Sequence, residues 1–206
     1  MKFIYSNGGF AREFLRCIKN QYPDDELVVV DDAEKKGSMS YNAACELDPD
    51  RAGKWIVGFA NAELRMRKMK GISADGFSFF SVFAQTSVVG ERVNIGEGAI
   101  LSDFSMITAD AIIGKGFQCN IDSYVAHDCV VGDYVTLAPR VSVNGRVVLE
   151  DNVYIGTGAT ILPGQDGEPL TIGKGAVIGA HSLVTKNVEA NTTVVGMPAK
   201  PRVTKC

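Results

Sequence analysis

The chain has 206 residues, of which 46% are hydrophobic and 22% charged, and its formal net charge is −3. These values describe an ordinary globular protein of one medium-sized domain or two small ones. The chain has no basic block, which argues against nucleic-acid binding, and no apolar run near the roughly 18 residues that cross a membrane.

Residues 1–72 combine strand and helix patterns. We predict strands at 2–5, 26–32 and 54–59, and helices with one apolar side at 11–21 and 62–70. Strands alternating with helices are typical of a small parallel sheet. The sequence therefore predicts an α/β domain over residues 1–72.

Two features of this domain fall where parallel strands end. Gly8 and Gly9 lie between the first strand and its helix, so backbone amides and the helix dipole could meet a phosphate. Asp31 and Asp32 end the second strand, where an acid can bind a ribose or a base. The complete GxGxxG pattern is absent, which argues against a standard dinucleotide site. A tight turn and a solvated strand end remain open as alternatives.

A six-residue repeat begins at residue 89. Its anchors are Val89, Ile95, Leu101, Ile107, Ile113, Cys119, Val125, Val131, Leu137, Val143, Leu149, Ile155 and Ile161, followed after a break at 163–171 by Ile172, Ile178 and Val184. A period of six fits neither an α-helix nor a long strand. It predicts short strands joined by tight corners, with three strands to each coil of 18 residues.

Stacked coils of this kind form a parallel β-helix, which we predict over residues 73–190. The sixteen anchors correspond to about five coils, or roughly 25 Å of prism at the usual spacing between strands. Residues 191–206 are predicted to form a C-terminal tail. The five cysteines, at 17, 45, 119, 129 and 206, include no CxxC pair, so we expect reduced, mostly buried thiols in a cytoplasmic protein.

One of the two histidines interrupts the repeat near a predicted corner. His127 stands two residues after its anchor Val125 and is followed by an acid, Asp128. One coil later the stacked position is Gly145, which is expected to leave open surface beside the imidazole. An isolated histidine is usually structural, but these neighbours favour a reactive one. His181 is expected to be a surface residue.

Several segments together identify a family. They are SNGGFARE (6–13), VVVDD (28–32), GFANAELR (58–65), SYVAHDCVVGDY (123–134), PGQDGEPL (163–170), IGAHSLVTKNV (178–188) and VVGMPAKP (194–201). Over nearly its whole length the chain resembles the hexapeptide-repeat nucleotide-sugar N-acetyltransferases, the group related to the protein-glycosylation enzyme PglD and to GDP-perosamine N-acetyltransferase.

The resemblance implies a fold and an activity. It implies that the β-helix is left-handed and that the N-terminal domain is Rossmann-like and binds a nucleotide sugar. The expected reaction is acetylation of a 4-amino-4,6-dideoxy sugar on a nucleotide diphosphate. The expected assembly is a homotrimer with acetyl-CoA in the cleft between adjacent β-helices.

The resemblance also implies roles for individual residues. His127 matches the catalytic histidine and Asp128 its neighbouring acid. The substrate-binding positions are Gly8, Gly9, Phe10, Asp31, Asp32, Asn61 and Asn120, and the acetyl-CoA positions are Thr136, Gly145, Thr157 and Ala180. Phe10 departs from relatives that often have histidine in this turn, which leaves the identity of the sugar open.

These residue types suit acetyl transfer. The reaction needs an uncharged amine and a group that accepts its proton, and histidine exchanges protons near neutral pH. A neighbouring carboxylate can fix the tautomer of the ring. No metal is expected, since two histidines cannot supply a set of three histidine ligands.

Three alternatives stay open at this point. A sugar or sialic-acid O-acetyltransferase would share the architecture, because a histidine can equally deprotonate a hydroxyl group. A zinc enzyme resembling the β-helical carbonic anhydrases is disfavoured by the histidine count. A β-helix without catalytic activity would not require a His-Asp pair, and acetyl-CoA binding separates it from the enzymes.

Overall fold

The computed structural model describes residues 1–33 and 35–202. It begins with a parallel sheet, here called the N-terminal sheet, in the strand order β2-β1-β3-β4. Its strands are β1 Lys2–Tyr5, β2 Leu27–Val30, β3 Lys54–Val57 and β4 Ser78–Phe79, and the helices are α1 Gly9–Gln21, α2 Tyr41–Leu47 and α3 Ala62–Ala74. The predicted small parallel α/β domain is confirmed.

Helix α2 was not predicted from the sequence. It has seven residues and buries only Ala44, so it carries no periodic apolar stripe that a pattern search would find. Its start is nevertheless encoded, because the Ser40 hydroxyl accepts a hydrogen bond from the Ala43 amide at 3.3 Å. Serine is among the residues preferred at this capping position.

The remaining strands stack into a β-helix with three flat sides, here called faces A, B and C. Face A contains β5 Val82–Phe83, β8 Ile100–Leu101, β11 Gln118–Cys119, β14 Thr136–Leu137, β17 Tyr154–Ile155, β20 Val177–Ile178, β22 Thr193–Val195 and β23 Lys200–Pro201. Face B contains β6 Val88–Val89, β9 Met106–Ile107, β12 Tyr124–Val125, β15 Ser142–Val143, β18 Thr160–Ile161 and β21 Leu183–Val184. Face C contains β7 Asn94–Ile95, β10 Ile112–Ile113, β13 Val130–Val131, β16 Val147–Leu149 and β19 Leu170–Ile172.

The chain visits the faces in the order A, B, C, and strands on one face pair 18 residues apart, as Ile112 does with Val130. Only β23 is antiparallel to its neighbour. The predicted left-handed parallel β-helix is thus the fold of this part of the chain.

The predicted anchors form the core of the prism. Those from Leu101 to Ile161 are at most 3% exposed. Val89 is 41% exposed, because it lies in the first coil, at the open end of the stack. The five coils that were predicted are too few, since face A alone contains seven parallel strands.

Both predicted domain boundaries shift for the same reason, which is strand pairing. Helix α3 continues to Ala74 and β4 pairs with β3, so the N-terminal domain runs to Phe79 rather than to residue 72. At the other end β22 pairs with β20, so the prism continues into the predicted tail.

The corners explain the six-residue period. One residue in the left-handed conformation stands three places after each anchor. These residues are Arg92, Gly98, Phe104, Asp110, Gly116, Asp122, Asp128, Tyr134, Arg140, Arg146, Asn152 and Gly158. Glycine, asparagine and aspartate adopt this conformation most readily. The backbone of the corner is therefore sufficient to account for an aspartate at position 128.

The described cysteines are free thiols, as expected. Cys17, Cys119 and Cys129 are buried, and Cys45 is half-buried. Burial raises the pKa of Cys119 to about 12, which suits a packing role rather than a reactive one. Cys206 lies outside the described residues.

Candidate active site

His127 and Asp128 form a hydrogen-bonded pair at the corner between faces B and C. The imidazole Nδ1 lies 2.7 Å from the Asp128 Oδ2, and about half of each side chain is exposed. A carboxylate only accepts hydrogen bonds, so Nδ1 carries the proton and donates it. In the neutral ring this leaves Nε2 as the site that can accept a proton.

Gly145 is stacked directly on the imidazole, as the 18-residue coil predicts. A β-carbon at position 145 would lie 2.6 Å from Cε1 and 2.8 Å from Nε2 of His127. The expected open surface is therefore wrong, because the ring itself occupies the space that a side chain would fill. The Arg146 amide also donates to the His127 carbonyl at 3.0 Å, which fixes the backbone of this corner.

Charged residues continue along this corner on both sides of the pair. One coil earlier, Arg92 binds Asp110 through two hydrogen bonds of 2.5 and 2.8 Å. These bonds from Arg92 lower the pKa of Asp110, so this carboxylate is ionised and committed to the arginine. One coil later, Arg146 pairs with Asp166 of the 163–169 loop at 2.5 Å.

Thr157 and Ala180 lie at a different corner, between faces A and B. They stand in consecutive coils, since the amide of His181, the residue after Ala180, donates to the Thr157 carbonyl at 2.8 Å. His181 is exposed, and its ring lies against Gly158. Face B separates this corner from His127 by one side of the prism, roughly 15 Å for five residues of extended chain.

Asn120 and Thr136 are both buried. The Asn120 side chain is 8% exposed, and its amide donates to the Leu137 carbonyl at 3.1 Å. Thr136 is 1% exposed, and its hydroxyl accepts a hydrogen bond from Arg65 at 2.8 Å. The structure does not bring either side chain to the surface.

Asp31 and Asp32 lie at the carboxyl edge of the N-terminal sheet and have different surroundings. Asp31 is 8% exposed and accepts hydrogen bonds from the Asn7 and Ala33 amides at 2.9 and 3.0 Å and from Lys35 at 3.1 Å. Burial disfavours its charged form, but these hydrogen bonds outweigh that effect and lower its pKa. Asp31 thus ties the turn after β1 to the turn after β2.

Asp32 belongs to a more open cluster with Tyr5 and Lys68. The Tyr5 hydroxyl donates to Oδ2 of Asp32, and Lys68 lies 2.9 Å from the same oxygen and 2.6 Å from the Tyr5 hydroxyl. The hydrogen bond from Tyr5, with that from Lys68, lowers the pKa of Asp32. Half of the Asp32 side chain is exposed, so its charge is available at this edge.

The other predicted substrate residues begin helices at the same edge. Gly8 is the N-cap of α1, Gly9 is its first residue, and among the described residues no side chain caps this helix. Phe10 packs edge-on against Phe14. Asn61 is the N-cap of α3, and its side chain accepts a hydrogen bond from the Leu64 amide at 2.8 Å.

The predicted residues therefore fall into three groups within one chain. His127, Asp128 and Gly145 share the B–C corner, whereas Thr157 and Ala180 share the A–B corner. The substrate residues of the N-terminal domain lie along the carboxyl edge of its sheet. Carboxyl edges of parallel sheets are where ligands bind in open α/β domains.

The sequence analysis missed three residues that the structure places at this edge or beneath it, namely Tyr5, Lys68 and Arg65. A signal for Arg65 was present. It is fully buried, and Arg65, Met69 and Ile72 share the buried side of α3 at helical spacing. Tyr5 and Lys68 lie in a strand and a helix that are 63 residues apart, so only the fold brings them together.

Two further searches of residues 1–33 and 35–202 gave no positive result. No group of three or more His, Cys, Asp or Glu side chains is arranged to hold a metal ion. No helix combines the length and the apolar character that a membrane span needs.

Comparisons with known proteins agree with this architecture. Residues 128–163 match the family model described as bacterial transferase hexapeptide (six repeats). GDP-perosamine N-acetyltransferase from Escherichia coli O157:H7 is 42% identical over 207 aligned residues, which cover 96% of this chain and 94% of that protein.

Two solved structures superpose on almost the whole chain. WeeI from Acinetobacter baumannii AYE is 37% identical, with a TM-score of 0.94 over 98% of this chain and 99% of that one. PerB from Caulobacter crescentus, solved in complex with CoA and GDP-perosamine, is 25% identical, with a TM-score of 0.88 over 98% and 97% of the two chains. With the repeat, the two domains and the relative that matches nearly end to end, the chain belongs to the hexapeptide-repeat nucleotide-sugar N-acetyltransferases, the family that includes GDP-perosamine N-acetyltransferase.

Proposed function

We propose that this protein transfers the acetyl group of acetyl-CoA to the amino group of a nucleotide-linked 4-amino-4,6-dideoxy sugar. The observation that carries the proposal is the His127–Asp128 pair, with its free Nε2, on a chain whose relative of known activity matches nearly end to end. PerB, which shares the fold at 25% identity, was solved with CoA and GDP-perosamine. A guanosine diphosphate sugar is therefore the first substrate to test.

In the proposed reaction the sugar nitrogen attacks the carbonyl carbon of the thioester. The nitrogen–carbon bond forms, the carbon–sulfur bond breaks, and the sulfur leaves with its electron pair and is protonated to CoA. His127 accepts the proton of the amine at Nε2 while Asp128 holds the proton on Nδ1. The product is the N-acetylated nucleotide sugar.

The three groups of residues take three roles in this proposal. The carboxyl edge of the N-terminal sheet, with Gly8, Gly9, Asp31 and Asp32, holds the nucleotide. Phe10, Asn61 and Asn120 lie along the path from there to the β-helix. Thr157, Ala180 and the Gly145 backbone contact acetyl-CoA.

We further propose that the protein acts as a homotrimer in the cytoplasm. The His127 corner and the acetyl-CoA corner are opposite edges of face B, so in a ring of three prisms each cleft takes one corner from each neighbour. Apolar side chains around the His127 corner support self-association, since Met106, Ile112 and Val130 are 39%, 56% and 45% exposed. The free thiols of the described cysteines fit a reducing compartment.

The function is tested by measuring CoA release with purified protein, acetyl-CoA and a set of GDP-, UDP- and dTDP-linked 4-amino sugars. The expected result is release of one CoA for each N-acetylated sugar with one nucleotide strongly preferred. The matching 4-hydroxy sugars are the control. If they are acetylated and the amino sugars are not, the protein is an O-acetyltransferase and the proposal is wrong.

A further inference from the structure

Three fully buried polar side chains meet where the N-terminal domain packs on the β-helix. They are Arg65 of α3, Gln118 of β11 and Thr136 of β14, which are 0%, 0% and 1% exposed. We call this cluster the polar junction. Buried polar groups that converge from two domains are costly unless they hydrogen bond well, so their partners indicate what the cluster holds in place.

Arg65 makes most of these hydrogen bonds. On the side of the β-helix its guanidinium donates to the carbonyls of Gly116 and Tyr134, each at 2.8 Å, and to the Thr136 hydroxyl at 2.8 Å. On its own side it donates to the carbonyls of Phe59 and Ala60 at 2.7 and 3.2 Å. Burial lowers its pKa, to about 9, which still leaves it charged at neutral pH.

Gln118 and Thr136 reach the same two carbonyls from the β-helix. The Gln118 side-chain amide donates to the Phe59 carbonyl at 3.1 Å, and the Thr136 hydroxyl lies 3.4 Å from the Ala60 carbonyl. All three members of the polar junction therefore converge on residues 59–60. No other loop of the N-terminal domain receives such a set of buried donors in the described residues.

Residues 58–61 form the loop at the carboxyl end of β3, beside the loops that follow β1 and β2. The loop ends at Asn61, which caps α3 and lines a cavity of about 420 Å³. The other wall of this cavity is the upper part of face A, including Tyr154 and Val177. The loop thus stands between the nucleotide edge and the β-helix.

We infer that the polar junction positions the 58–61 loop for the nucleotide sugar and so sets how far the sugar reaches toward the β-helix. The inference rests on the proposed function. It makes Arg65, Gln118 and Thr136 positioning residues rather than catalytic ones. It also gives Thr136 a role different from the expected one at acetyl-CoA, because its hydroxyl is buried between Arg65 and Ala60 and faces the N-terminal domain.

Thr136→Val separates these two roles, because it removes the hydroxyl with little change of shape. We expect the KM for the nucleotide sugar to rise about fivefold, the scale of one net hydrogen bond, while kcat and the KM for acetyl-CoA change less than about twofold. Gln118→Met should act in the same direction, since it frees the Phe59 carbonyl of one donor. Arg65 itself is a poor first choice, because its loss would leave several buried carbonyls unpaired.

Ser105→Ala is the matched control. Ser105 is 1% exposed, and its hydroxyl donates to the Ser102 carbonyl at 2.7 Å inside the prism, away from both ligand regions. It should lower the melting temperature while leaving both KM values unchanged. If Thr136→Val and Gln118→Met do the same, the polar junction is only structural, and a rise confined to the KM for acetyl-CoA would return Thr136 to the cofactor site.

Calorimetric titration with GDP, UDP and dTDP keeps this inference distinct from the proposed function. A wild-type protein that binds one of them but acetylates no amino sugar would contradict the proposed function. Weaker binding of that nucleotide by Thr136→Val than by Ser105→Ala would still support the inference. Equal affinities in these two variants, or no nucleotide binding by the wild type, would overturn it.

Discussion

At the scale of single residues, the candidate site depends on one close contact. The imidazole of His127 lies between the Asp128 carboxylate, which holds its Nδ1, and the bare backbone of Gly145. The sequence predicted this stacking because the coil is a regular 18 residues up to Ile161. It could not predict that the ring fills the space above it, since that depends on the rotamer of His127.

Gly145→Ala tests this contact. The new methyl group would lie 2.6 Å from Cε1 of His127, so the ring must rotate away and its Nε2 moves out of line with the amine. We expect kcat to fall by about 10², the scale of a catalytic group displaced by about 1 Å. The measurement is steady-state acetylation by the variant and the wild type.

Gly71→Ala is the control for this change. No atom lies within 4 Å of a β-carbon at position 71, which is in the interior of α3. Alanine is favoured over glycine there, so stability should rise slightly and activity should not change. If Gly145→Ala is as active as Gly71→Ala, the imidazole has room to move and the contact does not orient it.

At the scale of elements, the carboxyl edge of the N-terminal sheet shows how far sequence patterns reach. The end of strand VVVDD located both aspartates correctly. It could not tell them apart, because their difference arises from residues far along the chain. Asp31 is committed to the Asn7 and Ala33 amides, whereas Asp32 meets Lys68 and remains half exposed.

Asp32→Ala should therefore weaken binding of the nucleotide sugar and spare acetyl-CoA. An exposed carboxylate that accepts hydrogen bonds from a ligand contributes roughly a factor of ten or more to affinity. The affinities are measured separately by calorimetry with the nucleotide sugar and with CoA. Leu47→Glu, on the exposed side of α2, is a control that should change neither affinity. Equal loss of both affinities in Asp32→Ala would mean that the residue is structural.

At the scale of the whole molecule, the repeat predicted the prism but not its ends. Strand β5 precedes the first anchor and β22 follows the last, and both lack the aliphatic-glycine pattern that marks the other coils. The packing of the two domains was equally hidden, since Arg65 was read as part of a solvent-exposed helix. Its buried position follows from acceptors in the β-helix that are 51 and 69 residues away.

The trimer is the prediction that belongs to this scale. Sedimentation equilibrium at micromolar concentration should give three times the chain mass of 22.1 kDa. Ile112→Glu places a charge on the exposed apolar strip of face C and should produce monomers with little acetylation, because each cleft needs two chains. Leu47→Glu should remain trimeric and active. A wild-type monomer, or an active monomeric Ile112→Glu, would contradict the prediction.

The most direct test of the account is the turnover number of His127→Ala. General-base assistance is typically worth a factor of about 10²–10⁴, so kcat should fall within that range. The affinities for acetyl-CoA and the nucleotide sugar should stay near the wild-type values, because the side chain is half exposed at a corner and not part of the core. A folded variant that binds both substrates and turns over within about threefold of the wild type would show that the amine arrives already neutral and that His127 is not its base.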